Sequence, residues 1–376
     1  MKTSFELTGQ EVKGLVSKSE KIFSGKNTTI PVLSSIYFKV KDNKLSATTF
    51  DTKSGYVYTF PQSFDSLDMD MVVPLKEFSS LVKNISNTEM VSFTKEDGCV
   101  RIKNNLIDFK LSLLNEKDYP EIDLNIDGEG NSIDLTQEEF THCFSLSYCM
   151  SKEIIRQVMA SFMVKTDNEK IFFCSTDGHC MAYGEKKFSG EEVVGDISAC
   201  IPRSFVEFML KFVKETEQDK IKLMFRKDNV SVSIDSLVVF SRLVDGEPID
   251  SEPILSQSSD FKYTGVFSKE KLLEALKVFS DANKNDSPVI VKADKSNLLL
   301  SIKGDSFSGN INVEGESVFS LTTEPITFGI NADYAFNAVD HIQQDDICVS
   351  LIDSMSAVFF YGKNDKDRHV VMPISI

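Results

Sequence analysis

No stretch of this 376-residue chain approaches the roughly 20 consecutive apolar residues that a membrane-crossing helix needs. The N-terminus, Met1-Lys2-Thr3-Ser4-Phe5-Glu6, lacks the apolar core of a secretory signal, so the sequence reads as that of a soluble, cytoplasmic protein. No Cys-x-x-Cys pair occurs among the seven cysteines at 99, 143, 149, 174, 180, 200 and 348. Their odd number and wide dispersal speak against a disulfide framework and for reduced, mostly buried thiols. Histidine is scarce: His142, His341 and His369 are scattered without metal-ligand spacing and read as structural or solvent-exposed. Cys174, His179 and Cys180 come nearest to a ligand set but do not make a zinc pattern, and neither metal nor cofactor is expected. Glycine-rich phosphate loops of the Walker type and Gly-x-Ser-x-Gly elbows are missing too, which argues against nucleotide hydrolysis and against a serine hydrolase. Basic charge is in deficit, 41 Lys and Arg against 57 Asp and Glu, for a net charge of −16. An acidic chain repels phosphate as a whole, yet a local basic face can coexist with an acidic exterior. Where the basic residues sit therefore decides.

What is present is a repeat. Three amphipathic helical patterns open similar blocks, at Thr8–Phe23, Thr136–Tyr148 and Ser268–Phe279, with starts about 130 residues apart. A second helix recurs at the same period near Pro74, Pro202 and Asn331. Between them, FKVKDNKLSATTFD, MVKTDNEKIFFCSTD and VIVKADKSNLLLSI each read as strand, turn, strand. After the second helix each block carries another hairpin pattern: VSFTKEDGCVRIK, IKLMFRKDNVSVSI and ICVSLIDSMSAVFF. Val12, Leu15, Val16, Ser19, Ile22 and Phe23 form the buried stripe of the first helix, and Phe205, Phe208, Met209, Phe212 and Val213 that of the fourth. Thr8 with Glu11 fits a capping box. The expectation is an α+β protein of three similar domains, each with two helices packed on antiparallel sheet, bounded at 1–125, 126–256 and 257–376.

The outer faces of these helices are rich in Lys and Arg: Lys13, Lys18 and Lys21; Lys76 and Lys83; Arg203, Lys211 and Lys214; Lys269, Lys271 and Lys277. Acidic residues crowd the loop-like stretches 65–70, 116–127, 185–196 and 245–252. Lysine on an outer helix face is ordinarily solubilising, and composition alone leaves that reading open beside DNA contact. The faces lack interleaved aromatics, which disfavours base stacking on single strands and fits phosphate contacts without sequence information.

Three segments then carry a resemblance: Thr176-Asp177-Gly178-His179 after a strand, Leu243-Val244-Asp245-Gly246, and the C-terminal Val370-Val371-Met372-Pro373-Ile374-Ser375-Ile376. Ile30-Pro31-Val32-Leu33 and Val73-Pro74 support them. In this order along the chain they resemble the bacterial DNA sliding clamp family, the beta subunit of the replicative DNA polymerase III. The resemblance implies a head-to-tail homodimer whose repeated domains close into a ring around duplex DNA, helices inside and sheet outside. It implies a non-catalytic processivity factor that recruits polymerase, clamp loader and repair proteins through short linear peptides. A separate ATP-driven loader would open the ring.

The same resemblance implies site residues. The partner-peptide pocket would be walled by Met159, Thr176, Gly178, His179, Cys180 and Met181, by Ile249, Pro253 and Ile254, and by Val370, Met372, Pro373, Ile374 and Ile376. Met and Ile suit an adaptable groove for apolar anchors. DNA-facing positions would be Lys26, Asn27, Lys76, Lys152, Arg156 and Arg203, and the dimer contact would set the strand around Phe109 against the helix end near Val278 and Phe279. Cys180 and Ser375 stand where the family often has Arg, and Ile249 where it often has Pro, which leaves the peptide preference open. These departures motivate an alternative, an accessory plasmid- or phage-type clamp-like protein with a restricted partner set. Asp177 and His179 could be misread as an acid–base pair, but Gly178 is better explained by a turn.

Overall fold

The computed structural model describes residues 4–23, 30–65, 67, 69–120, 129–153, 155–167, 169–188, 192–214, 216, 218–282, 288–294, 297–303, 308–315 and 325–376. Lys26 and Asn27, and the boundary at 125/126, lie outside them. The 256/257 boundary falls at the start of a 3-10 turn, Ser256–Asp260.

All six helices of the repeat are present. The first of each pair spans Gly9–Phe23, Gln137–Ser145 and Lys269–Ala282; the second spans Leu75–Val82, Arg203–Val213 and Ala332–Asp340. The capping box forms as the sequence suggests: Thr8 N donates to Glu11 Oε2 at 2.7 Å, and Glu11 N donates to Thr8 Oγ1 at 3.2 Å. The second helices start in two ways. Pro74, with φ −60, precedes Leu75, whereas Asn331 caps its helix by accepting from the amides of Asp333 and Tyr334 at 2.9 and 3.1 Å. The third helical pattern is shorter than its periodicity: beyond Ser145 the chain tightens into a 3-10 turn, Leu146–Cys149. Ser145 Oγ donates to the carbonyl of His142 at 2.6 Å, a local bond that competes with α-helical pairing.

Among the described side chains the apolar stripes face the core as patterned; the side chains of Ile22 and Phe23 lie outside them. Val12, Leu15, Phe205, Met209 and Val213 are all buried. Ser19, inside the first stripe, is buried but satisfied: its hydroxyl donates to Leu15 O at 2.9 Å and lies within hydrogen-bonding distance of Thr49 Oγ1 and Tyr56 Oη.

Each repeat holds two three-strand antiparallel motifs. The first motif comprises Ser35–Lys41, Lys44–Phe50 and Ser54–Ser63 in repeat one. In repeat two it is Ser161–Asp167, Lys170–Thr176 and Cys180–Lys187, and in repeat three Val289–Asp294, Asn297–Lys303 and Ser308–Glu314. The opening hairpin turns on Asp42 and Asn43, at φ 52 and 61, between the paired residues Lys41 and Lys44. Two consecutive positive φ values in a two-residue loop are the type I′ geometry, which Asp and Asn tolerate. The second motif ends in Asp108–Ser112, Leu237–Arg242 and Arg368–Val371 in the three repeats.

The repeats are not separate in the contact pattern. The chain divides into two compact units, Met1–Gln137 with Glu207–Leu243, and Glu138–Val206 with Val244–Ile376. In the first unit, Ser54–Ser63 of repeat one pairs antiparallel with Leu237–Arg242 of repeat two, Phe240 opposite Gly55. In the second, Cys180–Lys187 of repeat two pairs with Arg368–Val371 of repeat three, Met181 opposite Val370. In both seams the third strand of one repeat's first motif meets the last strand of the next repeat's second motif.

Three of the scattered histidines converge in the second unit. His142 Nε2 lies 2.9 Å from Asp367 Oδ2, and this hydrogen bond holds the His142 pKa above its ordinary value. Tyr148 stacks on His341, ring centroids 4.1 Å apart, and its hydroxyl is 2.8 Å from Nδ1 of His369, whose ring centroid lies 5.8 Å away. His369 is 1% exposed; burial, reinforced by the charges of His341 and His142, pushes its pKa down to about 3.

Candidate functional site

Thr176-Asp177-Gly178-His179 is the turn between strands Lys170–Thr176 and Cys180–Lys187, with Thr176 opposite Met181. Gly178 sits at φ +93, a conformation that glycine adopts without strain. Thr176 Oγ1 donates to Cys180 O at 2.6 Å and accepts from Gly178 N at 3.0 Å. Asp177 Oδ1 accepts from the amides of His179 and Cys180 at 2.8 and 2.9 Å, and its Oδ2 accepts from the Tyr334 hydroxyl at 2.8 Å. Burial acts to raise the Asp177 carboxyl pKa, but these donors outweigh it and hold the group below its ordinary value. The aspartate thus builds the turn as a fixed anion, and His179 lies near Tyr334, ring centroids 6.4 Å apart.

Strand alternation sends Met181 and Cys180 to opposite faces of the sheet. Met181 joins Met163, Cys174, Cys200, Ala357, Phe359 and Val370 in a buried apolar cluster, against which Val158, Tyr183, Val244, Ile254, Leu255, Phe261 and Tyr361 pack partly exposed. Register explains the row: Cys200 opposes Met163, Met163 opposes Cys174, and Val370 lies between Met181 and Phe359. The short helix Glu252–Leu255 places Ile254 against this floor, while Pro253 stays exposed. Of the sequence-derived pocket residues, Met181, Ile254 and Val370 meet here. Ile249, 37% exposed, flanks the floor, its amide donating to Met163 Sδ at 3.2 Å.

The C-terminal segment passes from this hairpin to strand Ile326–Ile330. Met372 N donates to His179 O at 2.8 Å, and Ile374 N to Gly329 O at 2.9 Å. Met372 and Ile376 keep 39% and 66% of their surface exposed, apolar side chains held out on a fixed backbone. Met159 stands over the turn, its thioether about 4.0 Å from where a Cβ on Gly178 would lie.

Cys180 does not face the floor. It is buried on the other side of the sheet, at the base of a polar cleft of about 740 Å³ that also takes in His179, Tyr148, Lys152, Arg156, Asn331 and Tyr334. That alternation sets Cys180 apart from the apolar floor, in the cleft with His179. The residues missed from sequence, Met163, Cys174, Cys200 and Phe359, are hydrophobic strand residues whose convergence depends on cross-strand register. The only available signal was their alternation.

The expected DNA-facing residues divide. Lys76, Lys152 and Arg156 are exposed. Arg203 is half-buried and its Nη1 donates to the carbonyls of Met150 and Ser151 at 3.0 and 3.4 Å, so it also holds that loop. Several helix lysines have local partners as well: Lys13 Nζ donates to Asn87 Oδ1 at 3.1 Å, and Lys18 and Lys21 lie over the rings of Tyr58 and Phe212. Of the expected dimer residues, Phe109 and Val278 are exposed, at 44% and 55%, but Phe279 is 2% exposed in the core of its repeat and is removed from any surface contact. Strands Asp108–Ser112 and Ser308–Glu314 each form one edge of a four-stranded sheet.

Comparison with known proteins gives a consistent picture. Models of the DNA polymerase III beta subunit match residues 4–123, as its N-terminal domain, and residues 135–248, as its central domain. The chain is 22% identical over 358 residues to a beta sliding clamp of Vibrio cholerae, covering 94% of each, and 21% identical over 359 residues to one of Staphylococcus epidermidis, covering 92% and 93%. A DNA polymerase sliding clamp from Bacillus subtilis superposes with a TM-score of 0.90 at 18% identity over the whole of both chains. DNA polymerase III subunit beta from Pseudomonas aeruginosa superposes with 0.89 at 18% identity, over 99% of this chain and 100% of that one.

Proposed function

Because this chain belongs to the DNA polymerase III beta subunit, or sliding clamp, family, we propose that it is a non-catalytic processivity factor, a homodimeric ring that encircles duplex DNA in the cytoplasm. One observation carries the ring. Two seams inside the chain join the third strand of a repeat's first motif to the last strand of the next repeat's second motif. By the same rule, the equivalent strand of repeat three, Ser308–Glu314, is matched to the equivalent strand of repeat one, Asp108–Ser112, and both stand at sheet edges. Pairing them between two copies, head to tail, repeats the internal seam and closes three repeats and three repeats into one cycle. Phe109 lies on that edge and is covered in such a contact.

Exposed Lys76, Lys152 and Arg156 supply sequence-independent phosphate contacts, and the topological link removes the need for tight binding. The apolar floor, with Ile254 packed on it, and the exposed Met372 and Ile376 of the C-terminal segment take the hydrophobic anchors of short peptides from polymerase, loader and repair proteins. Cys180 turned away from that floor, and Ile249 beside it, fit a peptide preference of this chain's own.

The test is mass in solution by light scattering, then retention on circular against linear DNA with a clamp loader present. A species of twice 42.2 kDa that stays on circles and runs off linear DNA is the expected result. A monomer whose retention ignores topology would sink the ring.

A further inference from the structure

A second cavity, of about 700 Å³, opens beside the apolar floor. Met163 and Cys174 belong to both, so the two surfaces are continuous. Outward from them the sheet presents Phe172 and Tyr183, half-buried aromatics on the same face, with ring centroids 6.2 Å apart and planes at 29°. The facing wall is the loop through Pro248, Ile249, Asp250, Ser251 and Glu252. That loop is one-signed: residues 245–252 hold Asp245, Glu247, Asp250 and Glu252 and no basic residue. Lys165, exposed, is the one basic side chain among the described lining residues, and Asp167 stands two positions along the same strand. Nearby Lys170 is 2.9 Å from Glu185, which leaves it paired away from the loop acids.

Aromatic faces beneath an acidic rim suit a planar cation better than a compact ammonium, because guanidinium can stack and donate sideways at once. We infer that this groove is a specificity subsite that receives an arginine flanking the apolar anchors of the docking peptide, stacked on Phe172 and Tyr183 and paired with Asp250 and Glu252. The inference rests on the reading of the floor as a peptide site and extends it to the charge of the flank. The acidic loop then selects among partners that share the same anchors, by attracting basic flanks and repelling acidic ones.

The test uses the full chain and short synthetic peptides with one apolar anchor, flanked by Gln, by Arg on the N-terminal side, or by Arg on the C-terminal side. Affinity is read by fluorescence anisotropy. One Arg peptide is expected to bind about five- to tenfold tighter than the Gln peptide, the combined effect of a cation–π contact and an exposed ion pair. That gain should vanish in Asp250→Asn/Glu252→Gln and shrink in Phe172→Leu, while the Gln peptide binds all three proteins alike. Asn at 250 retains an acceptor for the Glu252 amide, which Asp250 Oδ1 now meets at 3.1 Å. Equal affinity of the three peptides for the native chain overturns the subsite and leaves the floor standing, as does a gain that survives both variants. Failure of the Gln peptide to bind at all overturns the floor reading, and the subsite with it.

Discussion

Replacing Met372 by Ala and ending the chain after it, so that Pro373–Ile376 is lost, separates binding from folding. The removed side chains hold little together: Met372 is 39% and Ile376 66% exposed. The main structural losses are the bond from Ile374 N to Gly329 O, at 2.9 Å, and the packing of Ile376 Cγ2 on Gly329. Such a bond contributes about 1 kcal/mol net, so the variant should melt only a few degrees lower. Binding is different. Fully covering a large aliphatic side chain contributes roughly 1.5–3 kcal/mol, and scaling that by the exposed fractions gives about 1 kcal/mol for Met372 and about 1.5 for Ile376. Together these amount to a loss of roughly fifty- to hundredfold in peptide affinity. Anisotropy with a labelled peptide reads the affinity, and light scattering checks that the mass is unchanged. Unaltered affinity in a folded, dimeric variant would show that the C-terminal segment is no part of the pocket.

Lys76→Glu and Lys152→Glu should each lower retention on DNA and reduce the salt slope by about one, with no change in melting temperature. Arg203→Ala should instead lower stability by about 1–3 kcal/mol, since the carbonyls of Met150 and Ser151 lose a charged donor; an unchanged denaturant midpoint would refute that role. Acid should destabilise the chain through His369: with a folded pKa near 3, its contribution is complete above about 6.5 and is lost as pH falls below that, about 1.4 kcal/mol per unit. His142 acts oppositely, stabilising below about 6.5 and losing that as pH rises through its raised pKa, so His369→Gln should flatten the acid side of a melting-temperature profile and leave the alkaline side alone. Gly55→Ala should cost roughly 1–3 kcal/mol in denaturant unfolding, because a Cβ there would lie 2.3 Å from Thr49 O and 2.7 Å from Phe240 Cζ.

Periodicity made the helices legible, and the Asp42-Asn43 dipeptide made its turn legible, because both are properties of short segments. The end of the third helix was less so: Leu146 and Cys149 stay buried and keep the amphipathic pattern going, and nothing in that pattern announces the side-chain bond of Ser145 that tightens the turn. The site was legible only where it is local. The Thr176–His179 turn and the C-terminal segment stand out as strings, whereas Met163, Cys174, Cys200 and Phe359 meet through strand pairings that span up to about two hundred residues of chain. Charge is legible only in part. A lysine that leans on a ring or an arginine that holds two carbonyls looks, in sequence, like one that points at solvent, and Arg203 and Lys21 show the difference. Cys180 and Met181 part for the simplest reason: strand neighbours point in opposite directions.

The two edge strands, Asp108–Ser112 and Ser308–Glu314, have a consequence for assembly hazard. An interface built from unlike edges has no built-in stop, since every added copy offers the next one the same free edge, and only the turn per copy distinguishes a closed cycle from an open fibre.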